Sequence, residues 1–178
     1  MVDKVLIAYA SRTGTTKSTA EFIATVLQER GVSADVKSME SITNLTEYRA
    51  VIAGSAIQNR QWLPEANEFI HKYRSDLNKK PLALFTVCMT LAMKNGENYR
   101  NDVFKWIAPI RSMVQPISEA LFAGALDISK IPSFSDRFKF RLSVLFGVWS
   151  EGDHRDWNAI RKWAEELSEK MAPNQFKQ

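Results

Sequence analysis

The chain has 178 residues, 45% apolar and 25% charged, with a formal net charge of +4. That is the mix of one ordinary globular domain with enough apolar content for a core. A single cysteine, Cys88, excludes an internal disulfide framework and any multi-cysteine metal site. No apolar run approaches the ~20 residues that span a bilayer.

The opening residues pass at once into a strand, which predicts no signal peptide and a cytoplasmic location. The small basic excess fits a solvated surface with spare Lys and Arg. No nucleic-acid partner is expected.

The first strand, Val5 to Ala10, shows no alternation, so it is expected to be buried on both faces. A helix follows from about Thr15 to Arg30, with Ala20, Ile23, Ala24 and Leu27 as its buried stripe and Gly31 as its stop. Val32, Ala34 and Val36 alternate with polar residues, the pattern of an edge strand. Ala50 to Ser55 reads as a second doubly buried strand.

Pro64 opens the next helix, whose stripe is Ala66, Phe69, Ile70, Tyr73 and Leu77. Leu82 to Cys88 is the fourth strand. A loop from Met89 to Asn98 leads to a short helix with Val103, Trp106 and Ile107, expected to end at Pro109. Leu121 to Leu126 is the fifth strand. The last helix runs from about His154 to Met171, capped by Asp153, with Trp157, Ile160, Ala164, Leu167 and Met171 inward.

Regular alternation of strand and helix predicts an α/β fold, a doubly wound five-stranded parallel sheet in the order 2-1-3-4-5. Ligands then bind at the carboxyl ends of the strands, at the switch point between strands 1 and 3. Residues 1–178 are read as a single domain with an insertion at about 127–152. That stretch is too long for a structureless loop in a compact domain. It carries a helical pattern, Phe134, Phe138, Leu142, Leu145 and Trp149, with Lys130, Arg137, Lys139 and Arg141 as its positive charges.

The chemistry concentrates in Ser11-Arg12-Thr13-Gly14-Thr15-Thr16, where the first strand turns into the first helix. Free amides and the positive end of the helix dipole converge there on an anion. The loop lacks the Lys of a triphosphate P-loop and the three glycines of a dinucleotide fingerprint. Its four hydroxyls suit a monophosphate, to which Arg12 either adds charge or points to solvent. His71 and His154 stand far apart with no metal-like spacing around them, so no metal is expected. No Gly-x-Ser-x-Gly elbow is present, and no residue is singled out as a catalytic acid or base.

Ser11 to Thr16, directly after a hydrophobic strand, resembles the FMN phosphate loop of flavodoxins. The resemblance implies a flavodoxin-like fold with FMN as cofactor and its phosphate on Ser11, Thr13, Gly14, Thr15, Thr16 and the loop amides. It also implies that the loop after strand three, with Ser55, Ala56, Ile57, Gln58 and Trp62, holds the flavin ring and ribityl chain. Trp62 either stacks on the ring or staples the following helix to the core. The loop after strand four, Val87-Cys88-Met89-Thr90-Leu91-Ala92, is implied to meet the pyrimidine edge.

Within that superfamily the basic charge and an insertion after strand five depart from acidic electron carriers. The chain resembles the menaquinone-dependent protoporphyrinogen oxidase family at Ala123-Gly124-Ala125-Leu126, Ser135-Asp136-Arg137-Phe138 and Asp156-Trp157. That family's acidic, glycine-containing patch is reduced here to Ser150-Glu151-Gly152-Asp153. The resemblance implies an FMN-dependent oxidoreductase passing electrons from a reduced porphyrinogen to a quinone. Peripheral membrane contact through 131–150, or a homo-oligomer interface there, goes with that expectation. The alternatives are an FMN electron carrier without its own substrate and a non-catalytic membrane-tethering module.

Overall fold

A computed structural model describes residues 4–131 and 133–172. In chain order it holds β1 (Lys4–Ala10), α1 (Thr15–Glu29), β2 (Ala34–Ser38), β3 (Tyr48–Gln58), β4 (Gln61–Trp62), α2 (Pro64–Leu77) and β5 (Leu82–Cys88). After these come α3 (Arg100–Trp106), α4 (Ala108–Met113), β6 (Ser118–Ala123), β7 (Ala125–Leu126), α5 (Phe134–Leu145), β8 (Gly152–Asp153) and α6 (Trp157–Lys170). Short 3-10 turns, including Met89–Ala92 and Gly96–Tyr99, fill the connections.

The sheet runs β2-β1-β3-β5-β6, with every adjacent pair parallel. This is the doubly wound order that the sequence predicts. The middle strands are apolar along their length because both faces are covered. On one side Leu6, Val51 and Leu84 pack with Phe69 and Ile70 of α2 and Val103 and Ile110 beyond it. On the other, Val5, Ile52 and Phe85 pack with Ile23 and Leu27 of α1 and with Ile160, Trp163 and Leu167 of α6. Each such apolar side chain contributes ~1.5–3 kcal/mol on full burial. β2 lies at the edge and is half-buried throughout, as its alternation implies.

The third strand is longer than its apolar run. It continues to Gln58 and folds back through Asn59 and Arg60, both at left-handed φ (51° and 61°), to pair with β4. Gly54 lies in the middle of this strand against the ring of Phe85, where an added methyl would overlap the ring. Gly54→Ala should therefore destabilise the fold by about 1–3 kcal/mol through overpacking. Urea unfolding measures this, and a wild-type midpoint would refute the close packing described.

Three boundaries differ from the sequence reading. Pro109 does not terminate the helix of Val103 and Trp106; that helix ends at Trp106, and Pro109 sits in the first turn of a second one, where its missing N–H is harmless. The fifth strand starts earlier, at Ser118, and stops at Ala123. Beyond Gly124 the chain leaves the sheet, and Ala125–Leu126 pairs antiparallel with Gly152–Asp153. The cap of α6 is Asp156, whose carboxylate accepts from the Ala159 amide at 2.9 Å, rather than Asp153. Asp153 is held elsewhere, by Arg155.

The β7–β8 pair closes the root of the insertion. Inside it α5 forms where the pattern predicts, but it ends at Leu145, short of Trp149. Phe134, Phe138, Leu142 and Leu145 are 83%, 58%, 38% and 78% exposed. The side facing the domain carries Phe140 and Val144, which with Trp149 pack on Leu126, Ile128 and Ile131. No described helix is long and apolar enough to cross a membrane.

Candidate functional site

The loop Ser11–Gly14 stands at the carboxyl end of β1, beside β3, where the strand order reverses. Its shape rests on two features. Gly14 adopts a left-handed φ of 87°, open to Gly without strain. Its amide donates to the Ser11 hydroxyl at 3.1 Å, which closes the turn. No side chain caps α1, so the first-turn amides remain directed at the loop.

The Thr13 and Thr15 hydroxyls lie 3.4 Å apart beside them. Thr16 is fully buried, and its hydroxyl oxygen has no hydrogen-bond partner among the described residues. A buried hydroxyl left unsatisfied costs about 1–3 kcal/mol. An anionic oxygen seated in the loop removes that cost, and the donor set of hydroxyls and amides fits a phosphate. Arg12 belongs to the loop, but its guanidinium turns outward to a two-pronged ion pair with Glu65 of α2. Its positive charge is therefore already partnered.

A trough runs from this loop across the sheet end. Its first part, about 170 Å³, is walled by Ser11 to Thr16, by Ala56, Ile57 and Gln58 after β3, by Val87 and Met89, and by Gly124 and Ala125. A second part, about 370 Å³, shares Arg12, Thr13, Gln58, Met89 and Ala125 with the first and is closed by Ile131, Asp136 and Phe140 of the insertion. A third, about 710 Å³, shares Met89 and Phe140 with the second. It is bordered by Ile57, Arg60, Cys88, Thr90, Trp106 and Trp149. Gly124 matters to this shape, since a Cβ there would lie 2.9 Å from the sulfur of Met89, which lines the trough.

The sequence-predicted residues divide accordingly. Ser11, Arg12, Thr13, Thr15, Thr16, Ala56, Ile57, Gln58, Val87, Cys88, Met89 and Thr90 line the trough, with Gly14 shaping its floor. Ser55 does not line it. It is fully buried, with its hydroxyl donating to the Ala56 carbonyl at 2.8 Å and accepting from the Leu63 amide at 3.1 Å.

Trp62 is 1% exposed, and its indole N–H donates to Thr86 at 2.9 Å, so its ring is part of the core under the trough and is not free to stack. Leu91 is buried against the same core, and Ala92 ends the 3-10 turn without facing the trough.

The insertion's walls, Phe140 and Trp149, with ring centroids 6.3 Å apart, were not on the sequence's list of site residues. Neither was Arg155. Its guanidinium forks onto both oxygens of Asp153 at 2.8 Å and donates to the Thr15 carbonyl at 3.2 Å and the Ser18 hydroxyl at 2.6 Å. It lies 4.2 Å over the Trp157 ring. The Arg155 hydrogen bonds hold the Asp153 carboxyl below its ordinary value. No periodicity marks Arg155; only Asp153 two residues before it hints at a pair.

Residues 6–155 match the family described as Flavodoxin domain. Over 173 residues the chain is 26% identical to the protoporphyrinogen IX dehydrogenase (quinone) of Escherichia coli strain K12, covering 93% of this chain and 94% of that protein. The protein of the same name from Leishmania major is also 26% identical, over 93% of this chain and 74% of its own length.

Among solved structures, a flavodoxin of Streptococcus pneumonia TIGR4 superposes with a TM-score of 0.59 at 17% identity, over 94% of this chain and 99% of that one. A short-chain flavodoxin associated with a bacterial microcompartment gives 0.61 at 14%, over 95% and 99%. At these identities the structural likeness speaks for the fold alone.

Proposed function

The chain belongs to the flavodoxin-domain family, whose cofactor is FMN, and from that premise we propose that it is an oxidoreductase acting between a reduced porphyrinogen and a quinone. The observation that carries the reading is the trough's third part. It adjoins the part beside the phosphate loop at Met89 and Phe140, and Phe140 and Trp149 of the insertion form part of its wall. An electron carrier needs only an exposed cofactor edge. A site that turns over a flat apolar ring needs a second apolar wall to hold that ring against the cofactor.

When bound, FMN supplies the acceptance and release of an electron pair. The chain's own residues bind and orient. Thr13, Thr15, Thr16 and the first-turn amides of α1 take the phosphate. Ile57, Gln58, Val87 and Met89 border the space that leads away from it. Phe140, Trp149 and Trp106 present ring faces and edges to the substrate space and exclude water from it.

Arg60, set at the rim by its left-handed turn, supplies a cation for a substrate carboxylate. In the net reaction the porphyrinogen gives up electron pairs and protons, and each pair with two protons reduces a quinone to a quinol. The proposed location is the cytoplasm, with peripheral contact at the membrane that dissolves the quinone.

The test is anaerobic turnover of FMN-loaded protein with protoporphyrinogen and a menaquinone analogue, followed by porphyrin fluorescence. Porphyrin appearing in step with quinone consumption supports the assignment. Reduction and reoxidation by a flavodoxin reductase couple, with no porphyrin formed, would reassign the chain as a carrier.

A further inference from the structure

Arg155 joins the first turn of α1, distant in sequence, to two neighbours on its own segment. It reaches that turn through the Thr15 carbonyl and the Ser18 hydroxyl. One neighbour is Asp153 at the root of the insertion, whose backbone pairs with Ala125 on the trough wall. The other is Trp157 at the start of α6, which meets Phe22 of α1 edge-on at 4.8 Å.

The side chain is 9% exposed, so little water competes for its donors. Beside it, the His154 amide donates to the Gly124 carbonyl at 3.2 Å and holds the same rim to the end of β6.

We propose that Arg155 is a positioning residue that couples phosphate occupancy of the Ser11–Thr16 loop to docking of the insertion over the trough. A phosphate held by the amides and hydroxyls of Thr15 and Thr16 orders the first turn of α1. That turn presents the Thr15 carbonyl and Ser18 hydroxyl to one edge of the guanidinium. The other edges are fixed on Asp153, and through it on the β7–β8 rim from which Phe140 and Trp149 are carried. Coupling of this kind is reciprocal, so a docked insertion also tightens the phosphate seat. Only a planar fork reaches both partners at once; the single ammonium of Lys cannot. This inference does not depend on the identity of the substrate.

Limited trypsin digestion of the full chain, with and without saturating FMN, tests it. Cleavage after Lys139 and Arg141 in α5 is followed by mass spectrometry, and occupancy is confirmed by flavin absorbance. In the native protein FMN should slow this cleavage by about 10-fold, since cleavage tracks the population of the undocked form.

In Arg155→Lys and Arg155→Ala at full occupancy, the FMN-dependent slowing should shrink to within about twofold of none. Asp153→Asn, which keeps the Arg155 donors but removes their anionic partner, should weaken the slowing in the same direction. A purely structural role would speed cleavage equally with and without FMN and leave the ratio unchanged. A ratio near one in the native protein, or a native ratio in fully loaded Arg155→Lys, would overturn the proposal.

Discussion

Thr16→Val should weaken FMN binding by about 10- to 100-fold while making the cofactor-free chain more stable. The two effects share one cause. The Thr16 hydroxyl is fully buried without a partner among the described residues, so in the cofactor-free state it carries the cost of an unsatisfied polar group, about 1–3 kcal/mol. Val has nearly the same shape and removes that cost.

On the proposed seating the hydroxyl would meet a phosphate oxygen, and a hydrogen bond to a charged acceptor contributes about 1.5–3 kcal/mol. At 1.4 kcal/mol per tenfold, its loss gives the stated change in affinity. Fluorescence titration of FMN and urea unfolding of the cofactor-free variant read the two halves separately. An unchanged dissociation constant would place the phosphate away from Thr16. Ser11→Ala should behave differently, because the Ser11 oxygen already accepts from the Gly14 amide and its removal loosens the loop in both states.

The second large effect concerns α5. Replacing Phe134, Phe138 and Leu145 together by Ser should reduce binding to vesicles containing anionic lipid by at least about 100-fold, with FMN content unchanged. These three side chains are 83%, 58% and 78% exposed. Each contributes ~1.5–3 kcal/mol when fully removed from water, so burying most of their exposed surface accounts for that change.

At about 100° per residue, Arg141 borders one side of the stripe and Lys139 the other. That arrangement suits a helix lying in the headgroup layer, with apolar side chains down and cations at the phosphates. The other face of the same helix is already packed on the domain, so the exposed one is not a core face left over. Co-sedimentation with phosphatidylglycerol vesicles checks the result. Equal pelleting of variant and native protein would end the membrane reading. A concentration-dependent dimer lost in the variant would assign the stripe to a second copy instead.

The sheet was legible because its middle strands are apolar on both faces and its edge strand alternates, patterns that tell central strands from an edge strand. The phosphate loop was legible because hydroxyls and a glycine between a strand and a helix have few other uses. What escaped was decided by contacts between distant residues.

The hairpin at Asn59-Arg60 uses left-handed residues without the Asn-Gly signature, so β4 was hidden, and with it the feature that decides between the two readings of Trp62 in favour of the core. Asp153 and Asp156 are equivalent caps by type. The choice falls to Asp156 because Arg155 has engaged Asp153. In α5 both sides are apolar, and periodicity cannot say which of two apolar faces finds a partner. Two-residue strands such as β7 and β8 carry no pattern at all.

Because β7 and β8 lie side by side, the insertion leaves and re-enters the domain at a single point. A segment with adjoining ends can lengthen, shorten or change its content without altering the register of any sheet strand, and doubling its length costs only about 0.6 kcal/mol in closure entropy. The host fold and its passenger are thus free to change at different rates. An ancestral cofactor carrier could acquire a new wall and a new outward face by growth at this one seam, without rebuilding the seat that holds the cofactor.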